Sequence, residues 1–362
     1  MRILFVTGHP AQIHNFRLLK TELEQKGHQI YWLATAKDIS IYLLEKFNIE
    51  YQLLEKPRKG KFSKIKTLIK NVFFSLKFLK KQRIQIVISR ISPYLSISSF
   101  LLGKKHIALT DTESAGIYDW FFGKFTNVIL TAKSYKRDIH KNQIRFNGNI
   151  ESFYLHSKRF KPIKRAEVEK LLGIQKDEPY VILRFVSWDA YHDKGLSGFT
   201  DENKIKAVKA FLKYAKVFIS AEKELPAALE PYKIKIPPEK MHDIMAYAKL
   251  FFGESGTMAS ESAVLGTPVI YLNKNWLGYL MEEKDAGLLF AFKQEIQEQV
   301  KAIEKGVELL SDESLESQVK AKHKEFIKNK IDVTAFMVWF IENYPESARI
   351  MKENPDYQYN FK

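Results

Sequence analysis

Short apolar runs alternate with longer amphipathic segments along most of this chain, and that alternation restricts its fold more than any other feature. A short apolar run is typical of a buried strand, and apolar side chains three or four positions apart are typical of a helix. Repeated strand–helix units form a parallel sheet wrapped by helices. The predicted strands are residues 3–6, 30–34, 51–54, 84–89, 107–109, 127–130, 180–184, 216–220, 250–252 and 268–271. The predicted helices are residues 13–26, 40–47, 62–80, 202–212, 241–248 and 258–265, with further helices to the end.

A chain of 362 residues is longer than one hydrophobic core usually supports, since cores rarely grow beyond about 250–300 residues. The basic, irregular stretch 157–165 lies between two strand–helix series and is predicted to link them. We expect Rossmann-like domains in residues 1–157 and 163–330, with a helical tail in 331–362 that packs near their junction. Two doubly wound sheets would face an inter-domain cleft, where ligands bind beyond the carboxyl ends of the strands.

Cysteine is absent, which excludes disulfides, thiolate chemistry and cysteine-ligated metal sites. The N-terminus runs directly into a predicted strand and lacks the apolar stretch and small-residue cleavage site of a secretory signal. No stretch reaches the roughly 18 uninterrupted apolar residues of a membrane span. The sequence predicts a cytoplasmic protein, which could attach to the inner face of the membrane.

Basic residues are concentrated in one part of the first predicted domain. The chain has 58 Lys and Arg against 42 Asp and Glu, a net charge of +16, and no acidic residue lies from Lys56 to Thr110. The lysines crowd between Lys56 and Arg83 and would attract phosphate, nucleic acid or anionic lipid. The amphipathic segment 62–80 has two interpretations. We favour a crossover helix whose apolar face covers the sheet, and the alternative is a helix that contacts a membrane surface.

The segment 251–270 has the pattern strand, turn, helix, turn, strand. Ser255, Gly256 and Thr257 stand at the predicted helix start, where free N–H groups and the helix dipole bind anions. Gly256 would let a phosphate approach the backbone closely. Glu261 lies one turn further and could accept hydrogen bonds from ribose hydroxyls. The alternative is a capped helix, with Ser255 or Thr257 as N-cap and Glu261 as a solvated acid.

Two residues of the first predicted domain are candidate catalytic bases. His14 lies near the start of the first predicted helix, and a histidine pKa of about 6.5 suits the deprotonation of an acceptor hydroxyl. Glu113 follows a predicted strand beside Asp111, where the pair could act as acid and base or could orient His14. The alternatives are a helix-start histidine bonded to backbone and a capping acid.

Three residues of the second predicted domain could meet phosphate groups. Arg184 ends a predicted strand and could neutralise a diphosphate leaving group. His192 lies in the loop that follows and could donate to the same phosphates during catalysis, or could pair with Asp193. His242 begins a helix, where a histidine can face a phosphate or form part of a cap.

The segment 254–269 resembles the nucleotide-binding segment of GT-B proteins, especially UDP-N-acetylglucosamine 2-epimerases. That family's pattern is Asp-Ser-Gly-Gly-x-x-Glu-Glu-Ala-x-x-Leu-Gly-x-Pro-Val, and here Glu254 stands at its first position, followed by Ser255 and Gly256. The resemblance implies that this turn, with Glu254 and Thr257, holds the diphosphate and that Glu261 binds the ribose. It also implies that the loop at Ile236 contacts the nucleobase. Segments 7–14, 112–116 and 146–150 resemble other strings of these enzymes.

Nearly the whole chain resembles an uncharacterised GT-B-like family, domain of unknown function 354. The resemblance implies a GT-B fold but no particular reaction. An epimerase carries an acid in a Gly-Asp-Thr string, where this chain has no carboxylate in residues 89–93, and its His-Arg-Arg-Glu-Asn loop is not reproduced. The standard epimerase mechanism is therefore disfavoured. The matching hallmarks are Arg184-x-x-Ser187-Trp188-x-Ala190-x-His192-Asp193-x-Gly195, Ile236-x-Pro238-Glu239-Lys240-x-His242-Asp243 and Gly253-Glu254-Ser255-Gly256-Thr257-Met258-Ala259-x-Glu261.

The sequence contains no His-Glu-x-x-His, Asp-x-Asp or Walker motif and no nucleic-acid module, so no metal, cofactor or specific nucleic-acid partner is predicted. The leading hypothesis is a metal-independent GT-B glycosyltransferase with a UDP-linked sugar donor. Its acceptor is left open, and a lipid-linked or polysaccharide glycan is one candidate. Two alternatives stay open. One is a sugar-nucleotide epimerase or hydrolase, and the other is a non-catalytic protein that binds polyanions or a membrane surface.

Overall fold

The computed structural model of the protein describes residues 1–56, 60–113, 116–188, 198–274 and 276–362, which divide into two compact units. The first unit comprises Met1–Tyr154 and Lys330–Lys362, and the second comprises Leu155–Asn329. Each unit is built on one parallel sheet with helices between its strands. The predicted α/β fold with two Rossmann-like sheets is confirmed.

The first unit has a seven-stranded parallel sheet in the order β3-β2-β1-β4-β5-β6-β7. The order reverses between β1 and β4, and ligands of open sheets bind at such a topological switch point. Its strands are β1 (Arg2–Thr7), β2 (Gln29–Thr35), β3 (Gln52–Leu54), β4 (Ile86–Arg90), β5 (Lys105–Leu109), β6 (Val128–Ala132) and β7 (Gln143–Phe146). Its helices before the second unit are α1 (Pro10–Gln25), α2 (Ser40–Lys46), α3 (Lys61–Lys81), α4 (Pro93–Leu101), α5 (Gly116–Gly123) and α6 (Ser152–Leu155).

The second unit has five parallel strands in the order β12-β11-β10-β8-β9, which places its switch point between β8 and β10. Its strands are β8 (Tyr180–Phe185), β9 (Lys216–Ala221), β10 (Leu250–Gly253), β11 (Val269–Leu272) and β12 (Leu289–Phe292). Its helices are α7 (Arg165–Leu172), α8 (Asp201–Phe211), α9 (Met241–Met245), α10 (Gly256–Leu265), α11 (Gly278–Asp285), α12 (Ile296–Ser311) and α13 (Glu313–Lys328).

Strand β12 corrects the sequence prediction, which assigned helices to most of the chain after residue 271. Its four residues pair in parallel with β11, from Val269 opposite Leu289 to Leu272 opposite Phe292. The run is short and follows directly on α11, with only Gly287 at a φ of 73° to signal the end of the helix. Periodicity cannot separate such a short apolar run from part of a helix.

The C-terminal segment adds helices α14 (Val333–Glu342) and α15 (Glu346–Glu353) and a 3-10 helix, Pro355–Phe361, to the first unit. The backbone N–H of Ile331 donates to the carbonyl of Asn147 at 3.0 Å, which ties the start of the segment to the end of β7. The Phe336 ring packs 6.2 Å from that of Phe146, so α14 covers the core beside the sheet. Among the helices of the described residues, none is long and apolar enough to cross a membrane.

Candidate functional site

Helix α10 begins at the carboxyl end of β10, beside the switch point of the second sheet. Ser255 is its N-cap, since the side chain accepts a hydrogen bond from the Met258 N–H at 3.4 Å. The amides of Gly256 and Thr257 occupy the first positions of the helix, where no intrahelical acceptor exists. Because these amides coincide with the positive end of the helix dipole, the start of α10 is suited to an anion.

Two tyrosines flank the start of α10. A Cβ atom at Gly256 would lie 3.3 Å from the hydroxyl oxygens of both Tyr271 and Tyr279, so the backbone there is approached by two polar groups. Tyr271 comes from β11 and Tyr279 from α11. Both side chains are almost fully buried, which fixes their hydroxyls near the helix start. The sequence did not indicate these tyrosines, because no local pattern connects them with Gly256.

Glu261 and His242 form a buried pair. Glu261 lies on α10 one turn beyond Thr257, and its Oε1 lies 2.9 Å from Nε2 of His242, the second residue of α9. Both side chains are buried, and a carboxylate in such a place needs a partner to offset its lost hydration. The sequence predicted the two as separate nucleotide ligands, and the structure shows that they contact each other.

Glu254 holds the loop that follows β8. Its carboxylate accepts hydrogen bonds from the backbone N–H of Val186 at 2.9 Å, from the Trp188 indole N–H at 3.2 Å and from the backbone N–H of Phe199. The residue is only 2% exposed, and this burial raises the pKa of Glu254 to about 7. Gly198 packs directly against the same carboxylate and has a φ of 61°. A Cβ at this position would lie 2.3 Å from the carboxylate, so only glycine fits. The sequence placed Glu254 at a phosphate site, whereas its contacts in the structure are with this loop.

The Arg184 side chain reaches the end of the neighbouring strand β9. Its guanidinium donates to Ser220 Oγ at 2.7 Å and forms an ion pair with Glu222, so part of its charge is compensated within the unit. Ile236 is half-buried and packs against the hydrophobic core of the second unit. The predicted catalytic His192, and Asp193 beside it, lie outside the residues that the structure describes.

In the first unit, the two candidate bases have different environments. The His14 side chain is on α1, is 7% exposed, and packs with its ring centroid 5.6 Å from Phe47 and 5.4 Å from Tyr154. Glu113 is half-buried, and its carboxylate accepts from the backbone N–H of Lys136 at 3.4 Å. Glu113 is more accessible than His14 and is therefore better suited to exchange a proton with a substrate.

A polar cluster follows β4 and β5 in the same unit. Arg90, which ends β4 at the switch point, pairs with Asp111 and donates to Thr112 Oγ1 at 2.8 Å. Asp119 on α5 is buried, accepts from Thr110 Oγ1 at 3.1 Å, and has its pKa raised to about 6 by that burial. The sequence indicated Asp111 as a candidate but did not indicate Arg90 and Asp119 as its neighbours. The position of Arg90 at the end of a buried strand was the available signal.

Among the described residues, no group of three or more His, Asp or Glu side chains is placed to hold a metal ion. The chemistry that these residues offer is hydrogen bonding, charge compensation and proton transfer by carboxylates.

Comparisons with known proteins support the fold assignment. A family model described as "Protein of unknown function (DUF354)" matches residues 4–318. S. aureus MnaA, solved with UDP, has a TM-score of 0.67 at 14% identity, over 96% of this chain and 97% of that chain. UDP-GlcNAc 2-epimerase from Neisseria meningitidis, bound to UDP-GlcNAc, has a TM-score of 0.63 at 13% identity, over 91% and 99%. Acinetobacter baumannii MurG has a TM-score of 0.59 at 16% identity, over 94% and 99%. No curated protein sequence is significantly similar to the chain.

Proposed function

The chain belongs to the DUF354 family of proteins of unknown function, and from its site we propose that it binds a UDP-linked sugar at the start of α10. The observation that carries this proposal is the buried contact between His242 and Glu261, one turn from a helix start that two tyrosine hydroxyls flank. A bare capped helix has no need of a buried acid–imidazole pair in its second turn. A ligand with both an anionic and a hydroxyl-bearing part would use both features.

The start of α10 would hold the diphosphate. The amides of Gly256 and Thr257 and the Ser255 cap supply the donors. Arg184 would add positive charge, because a guanidinium has five N–H donors and the contacts with Ser220 and Glu222 do not exhaust them. His192, which lies outside the described residues, is proposed as a further donor.

Glu261 would bind the ribose hydroxyls. A carboxylate can accept about four hydrogen bonds, so one carboxylate can receive both a donor such as His242 and the hydroxyls of a ribose. His242 would then act as a positioning residue that fixes the orientation of the Glu261 carboxylate. The UDP in the S. aureus MnaA structure and the UDP-GlcNAc in the Neisseria meningitidis structure support this ligand class.

We further propose metal-independent glycosyl transfer. An acceptor hydroxyl oxygen would bond to the anomeric carbon while the bond from that carbon to the diphosphate breaks, and a base would take the hydroxyl proton. Glu113 is the preferred base, since the His14 ring is enclosed by Phe47 and Tyr154. The acceptor would be a lipid-linked or polysaccharide glycan.

A sugar-nucleotide epimerase or hydrolase is a second candidate, favoured by the acidic side chains of the first unit. Asp111, whose side chain is 20% exposed beside Arg90 at the end of β4, offers a carboxylate that a substrate can reach for proton transfer. Such a reaction needs no acceptor.

A thermal-shift screen tests the binding site. UDP at 100 times its dissociation constant would add about 2.7 kcal/mol of stability, which for a unit of this size raises Tm by about 5–10 °C. Glu261→Ala should lose most of this shift. Glu261→Gln, which keeps an acceptor for His242, should weaken UDP binding about tenfold, because a neutral amide is a weaker acceptor than a carboxylate. Glu304→Ala, at an exposed carboxylate of α12, is the matched control and should behave as wild type. An undiminished shift in both Glu261 variants would refute the ribose role.

NMR of the substrate separates the two reactions. UDP-N-acetylglucosamine incubated with the protein alone should stay unchanged if the protein is a transferase, because no acceptor is present. Conversion to the 2-epimer, or release of UDP and free sugar, would replace glycosyl transfer by the second candidate.

A further inference from the structure

Helix α3 of the first unit turns large apolar side chains to solvent. Phe62, Ile65, Ile69 and Phe73 follow one another along a single stripe of the helix, and all four are exposed, Phe62 by 91% and Phe73 by 68%. A helix on the surface of a soluble domain normally directs such a stripe into the core. Four exposed residues at helical spacing therefore point to an unpartnered binding face rather than to scattered surface hydrophobics.

The opposite side of α3 shows that this orientation is built into the helix. Its buried side chains include Thr67, Asn71 and Ser75, which are small or polar. Asn71 holds the chain before the helix, accepting from the Glu55 N–H at 3.2 Å and donating to the Glu55 carbonyl at 3.0 Å. Phe78 and Leu79, in the last turn, enter the core of the sheet. The favoured sequence interpretation, a crossover helix whose apolar face covers the sheet, fits this C-terminal part.

The next two helices also carry exposed aromatic side chains. Ser98 of α4 donates to the carbonyl of Val72 at 3.2 Å, which packs α4 against α3, and Phe100 further along α4 is exposed. The Phe100 ring packs 5.3 Å from that of Phe125, which in turn lies 5.9 Å from Phe121 at the end of α5. Phe121 and the neighbouring Trp120 are both about half exposed. We call the exposed apolar residues of these three helices the α3–α5 surface.

Positive charge accompanies the α3–α5 surface. Lys66 lies one turn from Phe62, Lys77 lies one turn from Phe73, and both are exposed. The Lys124 ammonium lies 3.5 Å from the centroid of the Trp120 ring. No Asp or Glu occurs in the chain from Lys56 to Thr110, so α3 and α4 carry no acidic side chain. The α3–α5 surface therefore complements a partner that has an anionic surface above an apolar interior.

We propose that the α3–α5 surface binds the surface of an anionic lipid bilayer. Lysine is depleted in protein–protein interfaces, whereas helices that lie in the membrane interface combine lysines with Phe, Leu or Trp on the apolar face. Trp120, with one polar edge and a lysine beside it, suits the level of the lipid headgroups. The surface belongs to the first unit alone, so the proposal does not depend on nucleotide binding by the second.

Vesicle co-sedimentation tests the proposal. At about 0.1 M salt, the wild type should bind vesicles of equal parts phosphatidylglycerol and phosphatidylcholine at least tenfold more tightly than vesicles of phosphatidylcholine alone. Phe62→Ser combined with Phe73→Ser should weaken this binding at least tenfold. Lys66→Glu combined with Lys77→Glu should weaken it by a similar or larger factor, because each lysine contributes about fivefold.

Matched changes on the second unit supply the controls. Ile296→Ser removes an exposed apolar side chain, and Lys209→Glu with Lys213→Glu reverses two exposed charges on or beside α8. Both should bind anionic vesicles as the wild type does. All of these sites are exposed, so circular dichroism and Tm should not change, and any UDP-induced thermal shift should be the same in every variant.

Three results would overturn the proposal. One is the absence of wild-type binding to anionic vesicles, and another is equal binding by the variants of the α3–α5 surface and the controls. The third is self-association, measured by light scattering, that Phe62→Ser with Phe73→Ser abolishes while vesicles stay unbound. That result would make a second copy of the chain the occupant of the surface.

Discussion

Replacing Glu254 by glutamine is predicted to flatten the pH dependence of stability. Burial raises the pKa of Glu254 from 4.5 to about 7. The folded protein therefore binds this proton more tightly than the unfolded chain, and the resulting stability is fully present below pH 4.5 and is lost as the pH rises through 7. At about 1.4 kcal/mol for each pKa unit, the wild type should lose about 3 kcal/mol over this interval from Glu254 alone.

Glu254→Gln removes the titration but keeps the shape of the side chain. The glutamine amide has one acceptor oxygen and cannot accept from all three N–H donors, those of Val186, Trp188 and Phe199. At low pH the variant should therefore be less stable than the wild type by about 1–3 kcal/mol. The free energy of unfolding, measured by urea titration with tryptophan fluorescence from pH 4.5 to 8, should then converge with that of the wild type. Glu224→Gln, at an exposed carboxylate of the same unit, should keep the wild-type slope. Parallel curves for wild type and Glu254→Gln would refute the assigned pKa and its cause.

Two further substitutions test the packing around the predicted sites. Asp119→Asn keeps an acceptor for Thr110 but removes a carboxyl group whose pKa burial raises from 3.8 to about 6. In thermal unfolding, the variant should be more stable than the wild type by about 3 kcal/mol above pH 7, and this difference should disappear near pH 4. An equal difference in stability at both pH values would contradict the assigned pKa. Gly253→Ala would place a Cβ 2.6 Å from the Arg184 carbonyl oxygen, so calorimetry should show that the variant is less stable by about 2–3 kcal/mol. An unchanged Tm would disprove this close packing of β8 on β10.

The sequence was sufficient for most of the sheet framework, because strand and helix periodicities differ and glycine marks several helix ends. It located the strand–turn–helix at β10 and α10 from the same local signals. It missed β7 and β12, since a run of four residues is too short to establish a period of its own. It also could not show which side of α3 is buried, because the buried side, with Thr67, Asn71 and Ser75, is small or polar rather than apolar.

The site was predicted as single residues, and the structure supplies their pairings. His242 and Glu261 are 19 positions apart, and Glu254 contacts Val186 at a separation of 68. Pairings over such distances are set by the order of the strands in the sheet, which local patterns do not encode. The same reason explains why Tyr271 and Tyr279 were not connected with Gly256.

Hydrogen exchange at the first turn of α10 tests the central claim most directly. With saturating UDP, backbone amides of residues 255–258 should exchange more slowly than in the free protein, because the diphosphate would accept their hydrogen bonds, while amides of α12 should be unaffected. UDP binding that leaves these amides unchanged and slows exchange elsewhere would contradict the account.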